Sequence, residues 1–145
     1  MSHFAKVVDG VVQNVIVAEQ DFIDTLEDKD LWIQTSYNTS MNKHWAADKL
    51  GVEEDTSKPA LRGNYASIGG LYDSVNDVFT QVKPYGSWVM NTSKWDWEAP
   101  IAMPDPTDEV NAGTKFWMWF EEDYENDTGD PKTKGWRLID VGYQE

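Results

Sequence analysis

Apolar and polar residues alternate in two short runs near the start of the chain, and a dipeptide typical of tight turns separates them. The runs occupy residues 3–8 and 11–18 and are rich in β-branched side chains, with Asp9-Gly10 between them. A type I′ turn needs positive φ at both central residues, and Asp-Gly supplies it. This pattern predicts a β-hairpin. Its predicted buried face consists of Phe4, Val8, Val12, Ile16 and their neighbours.

The next two segments change from a helical period to a strand period. Phe22, Ile23 and Leu26 form one apolar stripe at helical spacing, which predicts a short helix over residues 20–29. Polar and apolar side chains then alternate over residues 31–38, so this stretch is predicted to be a strand.

Residues 39–60 have the weakest pattern. Within them, residues 41–51 predict two helical turns that end at Gly51, because glycine is common just after a helix. The polar run that follows predicts a loop.

From Leu61 onwards, short aromatic runs flank polar turns three times. The predicted turns lie at residues 74–76, 91–94 and 126–134, and residues 101–114 between the last two hairpins predict a loop. A lone two-stranded ribbon is marginal in water, and aromatic cross-strand pairs each add about 0.2–1 kcal/mol. Three hairpins are therefore expected to lie side by side and share an aromatic layer.

Together these elements predict a mainly β fold: an N-terminal hairpin plus a short helix, followed by aromatic-rich antiparallel β-hairpins. A length of 145 residues fits one domain or two very small ones. The change in character near residue 61 predicts an N-terminal hairpin and helix module over residues 1–60 and an aromatic hairpin module over residues 61–145. One continuous domain, such as a small sandwich, is the alternative.

Charge and cysteine content narrow the classes of function. The net charge of −14 predicts repulsion from nucleic acids and from anionic membranes. The chain has no cysteine, which excludes disulfides, thiol catalysis and Cys-ligated metals. Small secreted domains often need disulfides, so folding in a reducing cytoplasm is expected. No signal peptide and no membrane-spanning apolar stretch are predicted.

Several multi-residue segments occur in an order typical of one group of proteins. They are "HFAKVVDGVVQNVIV" at 3–17, "WIQTSYN" at 32–38, "RGNYASIGGLYD" at 62–73, "DVFTQVKPYGSW" at 77–88 and "WEAPIAMP" at 97–104. In these segments the chain resembles a family of small structural and accessory proteins of tailed phages that infect marine bacteria, cyanophages above all. The resemblance implies a role in the virion and brings no catalytic residue. The C-terminal hairpin is longer here than is usual in that family, so its tip at 121–134 is expected to have a role of its own.

Paired carboxylates raise the question of hydrolytic catalysis. Asp73 and Asp77 flank one predicted turn, and Asp96 and Glu98 share a strand face. Two acids in a cleft can cleave glycosides when they lie about 5–10 Å apart. Close pairs also arise by chance in a chain with 26 acidic residues, and Asp commonly caps turns. The second interpretation is preferred, and the protein is predicted not to be an enzyme.

Metal sites are tested by ligand spacing. His3 and His44 have no neighbouring ligand at zinc spacing, and His3 is expected on a strand edge. Residues 123–130 are rich in oxygen donors but lack the spacing of an EF-hand loop. The interpretation is a solvated hairpin tip, in which replacing Asp127 with alanine is expected to be nearly silent. No metal and no cofactor are predicted.

The tryptophans of the hairpins are the candidate interface. Alternation predicts that Trp95 and Trp97 share one strand face, as do Trp117 and Trp119. The other face of the strand that carries Trp117 and Trp119 holds Phe116, Met118 and Phe120. Both faces of this strand are therefore apolar, so both must be covered by the chain itself or by a neighbour. The candidate interface residues are Trp88, Trp95, Trp97, Trp117, Trp119 and Trp136.

These observations favour a non-enzymatic structural protein of a phage virion, made in the host cytoplasm and present in many copies. Its expected partners are other virion proteins of the capsid shell or the tail, in the manner of a decoration or attachment protein. A virion-borne carbohydrate- or receptor-binding module with exposed tryptophans is the first alternative. A host-directed accessory protein is the second.

Overall fold

The computed structural model describes residues 1–143, and these residues are mainly β, with 12% helix. The strands are β1 (Ser2–Val8), β2 (Val11–Ala18), β3 (Trp32–Thr35), β4 (Thr39–Ser40), β5 (Lys43–His44), β6 (Leu71–Asp73), β7 (Val78–Thr80), β8 (Val89–Asn91), β9 (Asp96–Glu98), β10 (Lys115–Trp119) and β11 (Trp136–Asp140). The helices are α1 (Gln20–Ile23), α2 (Asp108–Asn111) and α3 (Glu121–Asn126), and a 3₁₀ turn covers Lys29–Leu31. No helix within the described part is long and apolar enough to cross a membrane.

The largest sheet has five strands in the order β3-β1-β2-β6-β7, and its strand pairs are antiparallel. β1 and β2 form the predicted N-terminal hairpin. Asp9 and Gly10 have φ values of 52° and 78° at its turn, as a type I′ turn requires. The hairpin prediction is confirmed.

A β-bulge changes which side chains of this hairpin share a face. Lys6 pairs with Asn14, but Val7 pairs with Val12, so one extra residue lies in β2 between the two pairs. An extra residue reverses the alternation beyond it. Val12 therefore packs with Ala5, on the face opposite Phe4 and Ile16. The predicted single buried face is wrong at Val12.

Both faces of the sheet are covered, although by different segments. On one face Ala66 packs against a core cluster that includes Val12 and Phe79. On the other, Ile23 of α1 packs against a cluster that includes Phe4. The helix predicted over residues 20–29 is only one turn long, but it buries Ile23 as the apolar stripe predicts.

The helix predicted within residues 41–51 is wrong. β4 and β5 form a tight hairpin there, with Met41 and Asn42 at φ values of 52° and 59°. The indole of Trp45 is buried and donates to the carbonyl oxygen of Ser40 at 3.0 Å. This fixed side chain holds the segment in a compact irregular loop. Gly51 has the expected positive φ, at 74°, but it belongs to a turn and not to a helix end.

The three aromatic hairpins predicted from residue 61 onwards are all present as β6–β7, β8–β9 and β10–β11. The first is part of the five-stranded sheet, whereas the other two are separate two-stranded sheets. They therefore share no common sheet. α2 lies within the segment predicted as a loop, and α3 lies just before the predicted polar turn and ends at its first residue, Asn126. No helix is predicted at either place. Thr107 starts α2, since its hydroxyl accepts from the backbone N–H of Val110.

The described residues divide into two compact units. The N-terminal unit comprises Met1–Pro84 and Met90–Trp97, and the C-terminal unit comprises Tyr85–Val89 and the chain from Glu98 onwards. These bounds differ from a division after residue 60. The physical reason is that the edge of β2 binds the segment leading into β6, with Val12 donating to the carbonyl oxygen of Gly70 at 2.9 Å.

Candidate functional site

An open cleft in the N-terminal unit is lined by two of the six candidate tryptophans. We call it the tryptophan cleft, and its volume is about 460 Å³. It lies where the first turn, the β6–β7 hairpin and residues 90–97 meet. Its lining residues are Asp9, Gly10, Leu71, Tyr72, Asp73, Thr80, Met90, Trp95 and Trp97.

Trp95 is held in an unusual backbone conformation. It lies in the turn before β9 and not on the strand, with φ of 52°. Its indole packs on Gly63, where a Cβ would lie 3.0 Å from Cδ1 of Trp95. Asn64 donates to the carbonyl oxygens of both Trp95 (2.9 Å) and Phe79 (2.8 Å). The predicted alternation of Trp95 and Trp97 on one strand is therefore wrong, although both rings line the same cleft.

Trp97 is fixed by one hydrogen bond and one cationic contact. Its indole N–H donates to the carbonyl oxygen of Gln81 at 2.8 Å. The ammonium of Lys83 lies 5.6 Å from its ring centroid, within the range of a cation–π contact. Trp95 and Trp97 are both half-buried, so a part of each side chain remains available to a partner.

The carboxylates near this cleft hold turns together. Asp73 accepts from the backbone N–H groups of Val75 and Asn76 at 2.9 and 3.1 Å, and the Asn76 side chain is the main reason why its pKa lies below the ordinary value. The Tyr72 hydroxyl is the main cause of the lowered pKa of Asp77, and Arg62 adds to it at 2.8 Å. Neither carboxyl has the raised pKa of a general acid. Turn capping accounts for Asp73, and the ion pair with Arg62 together with the Tyr72 hydroxyl accounts for Asp77.

The tryptophans of the C-terminal unit mostly pack against one another. The ring centroids of Trp88, Trp119 and Trp136 lie 6.2, 6.4 and 5.2 Å apart in pairs. Trp119 is only 4% exposed, and its indole N–H donates to Glu121 at 3.0 Å. It is therefore a core residue, and a surface role for it is contradicted. Trp117 lies on the same strand, half-buried, and donates to the carbonyl oxygen of Asp105 at 3.3 Å.

The histidines have structural neighbours that the sequence did not indicate. His3 lies on β1, which is paired on both sides, so its predicted position at a strand edge is wrong. Its ring packs near those of Tyr37 and Tyr65. His44 is 9% exposed, and its Nε2 lies 3.8 Å from Asp55. Among residues 1–143 no three carboxylate or histidine side chains converge as metal ligands would.

The carboxylate of Asp127 organises the tip of the last hairpin. It accepts from the backbone N–H groups of Gly129 (2.8 Å), Thr133 (2.8 Å) and Lys134 (3.1 Å). The bond from Thr133 is the main cause of the lowered pKa of this carboxyl. The tip is thus a folded loop held by Asp127. This arrangement argues against the expectation that Asp127→Ala has almost no effect on stability.

We now expect Asp127→Ala to lower the thermal unfolding midpoint, because three backbone donors lose their acceptor. Since the native pKa lies below the ordinary value of 3.8, the contribution of Asp127 is fully present above pH 3.8 and is lost as the pH falls through the native pKa. Calorimetry at pH 7 and at stepwise lower pH, down through the native pKa, measures both effects. The control is Glu125→Ala, which removes the same charge from α3. Equal midpoints for the two variants at pH 7 would contradict the assignment.

Comparison of the chain with protein-family models, with curated proteins and with solved structures finds no match. The site is therefore interpreted from its own geometry.

Proposed function

We propose that this protein is a non-enzymatic structural component of a tailed-phage virion, present in many copies, that binds the capsid shell or the tail through the tryptophan cleft. The virion role is supported by the resemblance to the phage family, whose typical segments occur here in the same order along the chain. The observation that carries the binding site is the pair Trp95 and Trp97, half-buried around one open cleft. Under this proposal the chain is made in the host cytoplasm and is then assembled into the particle.

The composition of the cleft is that of a protein contact. Tryptophan, tyrosine and methionine are enriched at the centres of protein interfaces, and Trp97, Tyr72 and Met90 all line it. Asp9 and Asp73 supply negative charge there. In a chain of net charge −14, this favours a partner whose contact surface is basic, because complementary charge speeds and orients association.

Carboxylate chemistry supports a role without catalysis. Asp73 and Asp127 each hold a turn or a loop through hydrogen bonds from backbone N–H groups, and Asp77 accepts from the side chain of Arg62. Each has a lowered pKa and is charged at neutral pH. A carboxylate that is charged and fully engaged is a poor proton donor.

The virion role is tested on purified particles. Mass spectrometry of particles banded in a density gradient should find this chain at a stoichiometry of many copies. If the chain is absent from the particles but present in the infected cell, the protein is a host-directed accessory protein and the proposal fails.

The cleft is tested in the same particles with a phage that carries Trp97→Ala. We expect incorporation of this variant to fall by about tenfold or more, since a central interface tryptophan contributes about 2 kcal/mol or more to binding. The control is Phe22→Ala, which removes a 52% exposed aromatic ring that lines no part of the cleft. If both variants enter particles equally, the cleft is not the contact surface. Circular dichroism of each purified variant checks that it is folded.

A virion-borne carbohydrate- or receptor-binding module that uses exposed tryptophans stays an alternative prediction. A glycan array followed by tryptophan fluorescence titration separates it from protein contact. Binding that is lost in Trp97→Ala would favour the alternative.

A further inference from the structure

The tryptophan cleft offers a partner aromatic rings and carboxylates but no positive side chain. Its lining includes three aromatic side chains and two acids, Trp95, Trp97, Tyr72, Asp9 and Asp73, and no lysine, arginine or histidine. Asp9 is exposed. Asp73 owes its lowered pKa to the Asn76 side chain and to backbone N–H groups of its own turn, and not to a cation. The negative charge of Asp73 is therefore not neutralised by an ion pair.

One cation lies near the cleft but outside its lining. The ammonium of Lys83 lies 5.6 Å from the ring centroid of Trp97. Two carboxylates and one ammonium leave an excess of negative charge at this place. The contact also shows that an indole of this cleft accepts a positive group on its face.

The C-terminal unit shows how this chain holds a cation between a ring and a carboxylate. The guanidinium carbon of Arg137 lies 4.0 Å from the ring centroid of Phe120, and the same group donates to Asp123 at 2.6 and 2.7 Å. Lysine ammonium groups over rings lie farther away, at 4.6 Å for Lys132 and 5.6 Å for Lys83. A guanidinium is flat and has N–H donors in its plane, so it covers a ring and binds a carboxylate at the same time.

We propose that an arginine side chain of the partner protein enters the tryptophan cleft, with its guanidinium against the indoles of Trp95 and Trp97 and within reach of Asp9. The inference rests on the proposed role of this cleft as the contact with another virion protein, and it names the group that the contact recognises. Arginine is enriched at protein interfaces, whereas lysine is depleted there. The net charge of −14 on this chain adds a general attraction for a cationic partner.

The test is an NMR titration of the intact protein at low ionic strength, followed through the indole N–H signals. The probes are three capped tripeptides that carry arginine, lysine or citrulline between two glycines, because citrulline has nearly the shape of arginine without its charge. We expect the arginine peptide to shift the signals of both cleft tryptophans and to bind about tenfold more tightly than the citrulline peptide. Its binding should weaken with added salt.

Three results would contradict the proposal. If the arginine peptide shifts neither signal at millimolar concentration, or if the citrulline peptide binds equally well, the cleft does not recognise a cation. If the lysine peptide binds as tightly as the arginine peptide, the assignment to arginine is wrong.

A matched pair of variants locates the bound cation. Asp9→Asn removes the charge and keeps the turn, because asparagine before Gly10 suits a type I′ turn. We expect it to weaken binding of the arginine peptide by about threefold, the effect of losing one exposed ion pair. Asp48→Asn removes the same charge from an exposed turn outside the cleft and should leave the affinity unchanged. Equal affinities of the two variants would place the cation elsewhere.

The particle experiment separates this inference from the proposed function. If Trp97→Ala lowers incorporation but the arginine peptide does not bind the purified protein, the cleft is the contact surface and recognises another group, so only the inference fails. If the peptide binds and Trp97→Ala enters particles normally, the cleft recognises arginine and its proposed role in the virion fails.

Discussion

Replacement of Trp119 by alanine is expected to destabilise the C-terminal unit by about 3–5 kcal/mol, the usual cost of truncating a fully buried aromatic side chain. Trp119 is 4% exposed and lies between Trp136 and Tyr124, with ring centroids at 5.2 and 5.6 Å. Alanine would leave a cavity among these rings. It would also remove the indole donor that binds Glu121.

The measurement is urea unfolding of wild type and variant, followed by far-ultraviolet circular dichroism, because tryptophan fluorescence would itself change. The matched control is Phe116→Ala on the same strand, whose side chain is 38% exposed. We expect the control to cost less, since a larger share of the Phe116 side chain is already exposed and its ring is the smaller of the two. Equal losses would show that the ring of Trp119 is not the centre of this core.

The second large effect is expected at Gly135, which faces the same ring. A Cβ at this position would lie 2.3 Å from Cζ3 of Trp119, and the φ angle of 147° suits glycine alone. Overpacking costs about 1–3 kcal/mol, and a backbone conformation reserved for glycine adds about 1–3 kcal/mol. Gly135→Ala is therefore expected to rival Trp119→Ala in its effect on the free energy of unfolding.

Two further variants separate the clash from the backbone strain. Gly113→Ala also places a side chain at positive φ, 80°, but nothing lies within 4 Å of its Cβ, so only strain should appear. In the double variant with Trp119→Ala, the clash partner is gone, and Gly135→Ala should cost markedly less than it does alone. Strict additivity of the two substitutions would contradict a direct contact.

The segment at residues 62–66, part of the phage resemblance, contributes mainly to the fold. Arg62 donates to Asp77 and to the carbonyl oxygen of Gln34, at 2.8 and 2.9 Å. Asn64 binds two carbonyl oxygens and accepts from the N–H of Met41 at 2.9 Å. Ala66 is buried and donates to the hydroxyl of Thr35 at 2.9 Å. These residues position the tryptophan cleft without lining it.

The failures of sequence interpretation have local physical causes. The helix predicted within residues 41–51 gave way to a hairpin because Asn42 accepts a left-handed conformation and Trp45 buries its ring over the turn. The tip at Asp127 was predicted to be solvated because the sequence does not show which backbone N–H groups a carboxylate will bind after folding. The cleft lined by both histidines was missed because His3 and His44 are distant along the chain and line one cavity only after folding.

By itself the sequence determined the hairpins, the β class and the acidic surface, because alternation, turn dipeptides and net charge act over a few residues or over composition as a whole. Only the tertiary structure decided which tryptophans lie inside and which line a cleft. Trp95, Trp97 and Trp119 look alike in the sequence. The ring of Trp95 packs on Gly63 and the ring of Trp119 on Gly135, and each glycine is distant from its ring along the chain. A side chain at either glycine would occupy the space that the indole takes.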